Sequence, residues 1–295
     1  MIITGEHSVL QGCPAIAVAC SLYIENHIRK NDSDKVLFTS RIPMPDGASA
    51  LLNLTVSEFK KHFKLDTGVT MEFNSTLPVG SGMGSSAAAS AAVFAGLCQI
   101  TENKLTAEEM LDAIKNCENL IHGTSSGLDP AAVIYGGMVR KSGSKILPKR
   151  IFLPIDFYIV NTGKPDCTTG EAVAHAKNLF TPELIRKFRT VSENIEANLE
   201  KGNSQALAKN IIENEKLLEA IGVVPEKIKS FAREAEKSDM AFKISGAGSI
   251  RGEHGGIGLL FIEQGLEEKA GILCKRYGYS IEKVKIHTGG LPCLA

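Results

Sequence analysis

The sequence predicts an α+β fold in two layered parts, residues 1–150 and 151–295, on three observations. Strand-like runs of apolar and β-branched residues (1–4, 15–28, 241–245 and 257–262) share the chain with amphipathic helical stretches. A glycine loop at 78–84 runs directly into the small-residue segment SSAAASAAVFAGL at 85–97. The basic stretch KSGSKILPKR at 141–150 then separates these elements from a fresh apolar strand, IFLPIDFYIV, and marks the domain boundary.

Taken in order, MIIT at 1–4 and AIAVACSLYIENHI at 15–28 read as strands, and PMPDGAS at 43–49 as a turn-rich break. The alanine-rich segment gives a helix over 85–99, with Ser85 suited to its N-cap region. A second helix over 106–121 opens with Thr106 and has Glu109 three residues later, a capping box. A loop at 122–128 leads to a short helix from Pro130 and a strand near 137–141. In the second part, Leu184, Phe188, Val191, Ile195 and Leu199 recur at steps of three and four and form one helical stripe. Helices near 204–220 and 225–237, strands at 241–245 and 257–262, a helix near 265–277 and a strand near 281–286 complete a βααα-ββαβ order.

Bulk properties exclude several functions. The 295 residues suffice for a sizeable core, and 33 basic residues balance 33 acidic ones, so no charge surplus points to nucleic acid or an anionic membrane. The seven cysteines are scattered without C-x-x-C pairs, which reads as free thiols in a reducing compartment. No apolar run approaches the ~20 residues of a bilayer span, and no signal-peptide pattern opens the chain. The expectation is a cytoplasmic protein.

Chemistry concentrates in the glycine loop. Gly80, Gly82 and Gly84 permit a tight turn with inward-facing amides, and the helix start behind them offers unpaired N–H groups and the positive dipole end, which attract phosphate. The loop has no lysine and so is not a Walker A sequence, and Ser85 stands where a dinucleotide fingerprint needs its third glycine. In ENLIHGTSSGLDP at 118–130, Glu118 reads as a solvated helix residue. Asp129, ahead of Pro130, reads as an N-cap, a role compatible with that of a base.

The string PVGSGMGSSAA at 78–88 resembles the central motif of the GHMP kinase superfamily, P-x-x-x-G-[LM]-G-S-S-A-A. GEHSV at 5–9 and E-x-x-I-H-G-x-x-S-G-x-D at 118–129 are similar to the forms found in mevalonate kinases. The resemblance implies the two-domain GHMP kinase fold, a ribosomal protein S5 domain 2-like N-terminal domain followed by a ferredoxin-like one. It implies ATP-dependent phosphorylation of mevalonate to 5-phosphomevalonate, with Mg2+. ATP would lie against Pro78, Gly80, Ser81, Gly82, Met83, Gly84, Ser85 and Ser86. Ser86 and Glu118 would hold the metal, Asp129 would act as base, and Glu6 and His7 would bind substrate. Thr168, in NTGKPDCTTGE at 161–171, matches a substrate-side threonine. The resemblance brings no nucleic-acid or membrane partner and leaves a homodimer open.

Two departures stand out. The family pattern carries P-G-K ahead of G-E-H, with a phosphate-contacting lysine, and Met1 falls just after that position. The family's glycine-rich third motif is interrupted here as SGAGSIRGEHGG at 245–256, where Arg251 reads as a solvated loop tip. These motivate the alternatives: another GHMP kinase, acting on phosphomevalonate, homoserine or a sugar, or a nucleotide-binding relative without turnover.

Overall fold

A strand of only three residues, β1 (Ile2–Thr4), opens the computed structural model, which describes residues 1–41, 43–44, 47–77, 83–122, 125–149 and 157–291. After a 3₁₀ turn at Ser8–Gln11 come β2 (Ala15–Val18), β3 (Ile24–Asn31) and β4 (Val36–Ser40). The run 15–28 therefore holds two strands, parted at Ala19–Tyr23, where the chain leaves one sheet for another. Helix α1 (Ala48–His62) and strand β5 (Gly68–Ser75) follow. Sheet β3-β5-β4 pairs β5 antiparallel to β3 and parallel to β4.

Helices α2 (Ser85–Thr101), α3 (Ala107–His122) and α4 (Leu128–Tyr135) carry the motifs. Small residues on α2 let it lie close to β3: a Cβ on Gly96 would stand 2.8 Å from the Asn26 amide nitrogen, which donates to the Ala92 carbonyl at 2.9 Å. Phe59, Met71, Phe94, Leu97 and Met110 bury this layer completely. The basic stretch is described over residues 141–149. It belongs to a hairpin of β6 (Met138–Ser142) and β7 (Lys145–Lys149), which extends the sheet β1-β2-β6-β7.

Strand β8 (Phe157–Asn161) starts the second part, followed by α5 (Thr169–Lys177), α6 (Pro182–Lys201), α7 (Ser204–Ala220) and α8 (Glu226–Glu236). Then come β9 (Ala241–Ser245), β10 (Ile257–Phe261), α9 (Glu267–Tyr277) and β11 (Ser280–Val284). Their antiparallel sheet has the order β11-β8-β10-β9, which is 4-1-3-2 in the numbering of the part and so ferredoxin-like. The helical stripe lies where its spacing places it, with Phe188, Val191, Ile195 and Leu199 buried. The largest apolar cluster joins the two parts, packing Ile3, Ile16 and Met138 with Val160, Ile195 and Leu259. Past β11 the chain crosses back over the first part, where His287 N–H donates to Ala19 and Leu291 N–H to Ile134.

Candidate active site

Gly84, not Ser85, caps α2, with φ +71° and no side-chain cap bond. A Cβ on Gly84 would meet Cβ and Cγ of Asp129 at 3.1 Å. The last glycine of the loop therefore brings the helix start directly against a carboxylate. Asp129 is likewise not the cap of its own helix. Gly127, at φ +73°, takes that position and starts α4 two residues early, leaving Asp129 in the first turn. Its side chain is thus free of capping and turns toward Gly84. Burial holds the Asp129 carboxyl above its ordinary value.

The loop between α3 and α4 is tied to the end of α3. Ser125 N–H donates to Asn119 Oδ1 at 2.6 Å, and Gly127 N–H donates to Ser125 Oγ at 3.0 Å. Lys141 on β6 holds the Ser126 carbonyl at 2.7 Å. Ser125 Oγ also donates to Glu118 Oε2. Burial, helped by the charge of Asp129 and opposed by Ser125, pushes the Glu118 carboxyl up to about 7. No group of three or more metal-ligating His, Cys, Asp or Glu side chains occurs among the described residues. Ser86 is half-buried in the first turn of α2. Pro78, Gly80, Ser81 and Gly82 lie outside the described residues.

A cleft of about 440 Å³ opens beside this group, lined by Met83, Gly84, Asp129, Asn26, Tyr23 and His287 among others. Tyr23 and His287 meet edge to face at 5.4 Å, with the hydroxyl 3.2 Å from Nδ1. A second cleft of about 360 Å³ is lined by Thr168, Lys164, Ser245, Ala247, Gly248 and Arg251. Thr168 also caps α5 in a box with Glu171, a helix the sequence reading does not include.

Glu6 and His7 are both buried, and both face the β9 end rather than solvent. Burial lowers the His7 pKa, so the imidazole is neutral at pH 7 and its Nε2–H donates to the Ala247 carbonyl at 2.9 Å. Its Nδ1 is buried without a protein partner. Glu6 accepts from Lys243, a residue the sequence reading passes over. The available signal was a lysine between Phe242 and Ile244 in a strand that is otherwise apolar apart from its last residue.

Arg251 is exposed, as expected of a solvated loop tip, but it is paired. Its guanidinium donates to Glu171 at 2.8 Å and to the Asp166 carbonyl at 3.0 Å. Asp166 in turn accepts from Glu253 N–H, and a Cβ on Gly252 would stand 1.9 Å from Asp166 Oδ2. The interruption of the third motif is a clasp over the 166–171 turn, where Arg251 pairs with Glu171, while the Glu253 carboxylate pairs with Lys227 on α8. The Thr168 N–H, followed by Arg251, draws the Glu171 carboxyl down to about 2.

The model for the GHMP kinases N terminal domain matches residues 50–137, the span that carries the glycine loop, Glu118 and Asp129. A mevalonate kinase of Archaeoglobus fulgidus is 31% identical over 260 residues, covering 84% of this chain and 86% of the relative. The chain belongs to the GHMP kinases. A mevalonate kinase of Pyrococcus abyssi is 28% identical over 291 residues, covering 84% of this chain and 83% of its own. The crystal structure of L. major mevalonate kinase in complex with R-mevalonate shares the fold, with a TM-score of 0.84 over 98% of this chain and 94% of that one, at 22% identity. This GHMP kinase is a small-molecule kinase, and its family implies ATP as co-substrate. No helix among the described residues is long and apolar enough to cross a membrane.

Gly84→Ala tests the loop contact. A left-handed φ costs an L-residue about 1–2 kcal/mol, and the new methyl pushes on Asp129. The expected result is a loss of kcat on the order of tenfold to a hundredfold, from displacement of the carboxylate. Steady-state ADP release, with a thermal melt to separate folding from rate, reads this directly.

Proposed function

We propose that this GHMP kinase transfers the γ-phosphoryl group of ATP to the primary hydroxyl of mevalonate, giving 5-phosphomevalonate and ADP. The observation that carries the reading is the contact of Gly84 with Asp129, which places a carboxylate at the start of the helix behind the glycine loop. Asp129 takes the proton of the acceptor hydroxyl as its oxygen bonds to phosphorus and the bond to ADP breaks. Its raised pKa brings the base nearer to working pH. The first-turn amides of α2, with Met83, Gly84, Ser85, Ser86 and the loop 78–82 before them, receive the phosphates. Residues 1–150 and 151–295 form the two domains of the reading, with substrate held near Glu6, His7 and Thr168.

Glu118 fits a divalent cation. Its carboxylate is buried, has Ser125 as its hydrogen-bond partner and stands within electrostatic reach of a second carboxylate. A magnesium ion held by Glu118 and Ser86 would neutralise phosphate charge. Glu118→Gln is expected to raise the Mg2+ concentration for half-maximal rate by at least about tenfold, since even indirect perturbation of a metal site costs that much. A magnesium titration at fixed ATP checks it.

The deciding experiment incubates the purified protein with Mg-ATP and a panel of R-mevalonate, phosphomevalonate, homoserine and galactose, and follows ADP release and phosphorus NMR of the product. Preferred turnover of mevalonate supports the reading. Equal turnover of another acceptor, or ATP binding without any turnover, overturns it.

A further inference from the structure

Lys243 lies in the middle of β9 with none of its side chain exposed. Its ammonium donates to the Glu6 carboxylate, which is 1% exposed, and to the Ile244 carbonyl at 2.5 Å. The two residues come from opposite parts of the chain, 237 positions apart. Enclosing a full ion pair is costly, and apolar side chains of the same volume would often serve stability as well or better. What the pair joins is therefore informative.

Glu6 belongs to a turn wound under strain. Gly5 has φ +99°, and a Cβ there would come within 2.3 Å of Ala15. His7 has φ +54°, in the left-handed region that a non-glycine residue seldom adopts. Lys243 leads into Ser245–Gly248, where Gly246 and Gly248 also have positive φ. Three more bonds join these segments, two of them to Ile2 on β1 and one between the loops themselves. The Ser245 hydroxyl donates to the Ile2 carbonyl at 2.9 Å and accepts from its N–H at 3.2 Å, and His7 Nε2–H donates to Ala247. Ser245, Ala247 and Gly248 line the second cleft. A neutral bond such as that from His7 fixes one carbonyl; the ammonium fixes a carboxylate and a carbonyl at once, at the root of both loops.

We propose that Lys243 is a positioning residue that locks the Gly5–Ser8 turn to the Ser245–Gly248 loop and so sets the acceptor side of the active site. It touches neither nucleotide nor acceptor and acts through Glu6 and the strand end. The inference rests on the acceptor being bound beside these two loops, as in the reading above.

The test compares Lys243→Met with the double variant Glu6→Gln/Lys243→Met, which removes both charges and leaves no uncompensated ion. In Lys243→Met the acceptor KM should rise more than tenfold, with the ATP KM within twofold of the parent. The double variant should recover the parental melting midpoint but not the acceptor KM. Glu6→Gln alone should not raise that KM beyond the Lys243→Met value, since an acceptor KM lost only through Glu6 would mean direct contact and overturn the positioning role. If the double variant recovers both, the pair only fills the interior and the proposal falls. Equal changes in both KM values would also overturn it.

Amide hydrogen exchange on the double variant without ligands gives a readout independent of acceptor identity. Segments 5–8 and 245–248 should loosen together, and loosening of one alone, or of neither, counts against the lock. If mevalonate is not turned over, the substrate reading fails, while exchange still tests the lock, with kinetics run on whichever acceptor the panel reveals.

Discussion

Asp129→Asn is expected to lower kcat by about 10²–10⁴-fold, the usual worth of a positioned general base. The ATP KM should stay within a few-fold of the parent, because the proposed phosphate site is the loop and helix start rather than this carboxylate. The amide has almost the shape of the carboxylate, so the contact with Gly84 survives. The substitution also removes a charge that burial disfavours and that raises the neighbouring Glu118. The melting midpoint should therefore hold or rise slightly, which separates lost chemistry from lost folding. Single-turnover phosphoryl transfer is the direct measurement, and a rate within tenfold of the parent would remove Asp129 from the role of base.

The helical half of the fold was legible because its signals are local. The capping box at the start of α3 forms as read, with Thr106 N–H donating to Glu109 at 2.8 Å and Glu109 N–H to Thr106 Oγ1 at 3.2 Å. The stripe on α6 buries as spaced. Between residues 29 and 77 the sequence offered little beyond the break at 43–49, yet the structure places β4, α1 and β5 there. Helix α1 starts at a left-handed glycine without a side-chain cap and carries Thr55 and Val56 in its interior, so neither propensity nor capping announces it. Strand β4 exists through its parallel pairing with β5, a contact across some thirty residues that no local pattern records.

The site was legible in its parts rather than in its arrangement. The glycine loop and helix start read as a phosphate site by themselves. The approach of Asp129 to Gly84 depends on α4 starting at Gly127 and on the Ser125 turn that folds the loop back onto α3. Lys243 was hidden for the opposite reason, since all five residues of its strand are buried and no face marks it out.

Glu215→Gln is expected to remove about one proton's worth of the pH dependence of stability. Glu215 on α7 is buried, with Oε2 accepting from Ile244 N–H at 2.8 Å and Oε1 without a protein partner. Burial pushes its carboxyl up to about 8, against the pull of that N–H and of Lys243, with Glu219 and Glu6 adding repulsion. In the unfolded chain the same group titrates near the ordinary ~4.3. Between those values the native state holds one proton more than the unfolded one. Stability from this group is therefore complete below the unfolded pKa and is lost as pH rises through about 8. The slope approaches about 1.4 kcal/mol per pH unit at most.

From pH 6 to pH 8 this group alone should cost the parent on the order of 2 kcal/mol, or roughly 5 °C in melting midpoint for a chain of this size. Glu118 adds in the same direction. The glutamine keeps an acceptor for Ile244 and carries no proton to lose, so its curve should be flatter by about one proton. Thermal melts across this range decide it, and two parallel curves would show that Glu215 is already ionised in the native state. The arithmetic of the cluster favours the protonated form, since Lys243 brings one ammonium to two buried carboxylates, Glu6 and Glu215. Lys243 donates to Glu6, and Glu215 accepts instead from the Ile244 N–H.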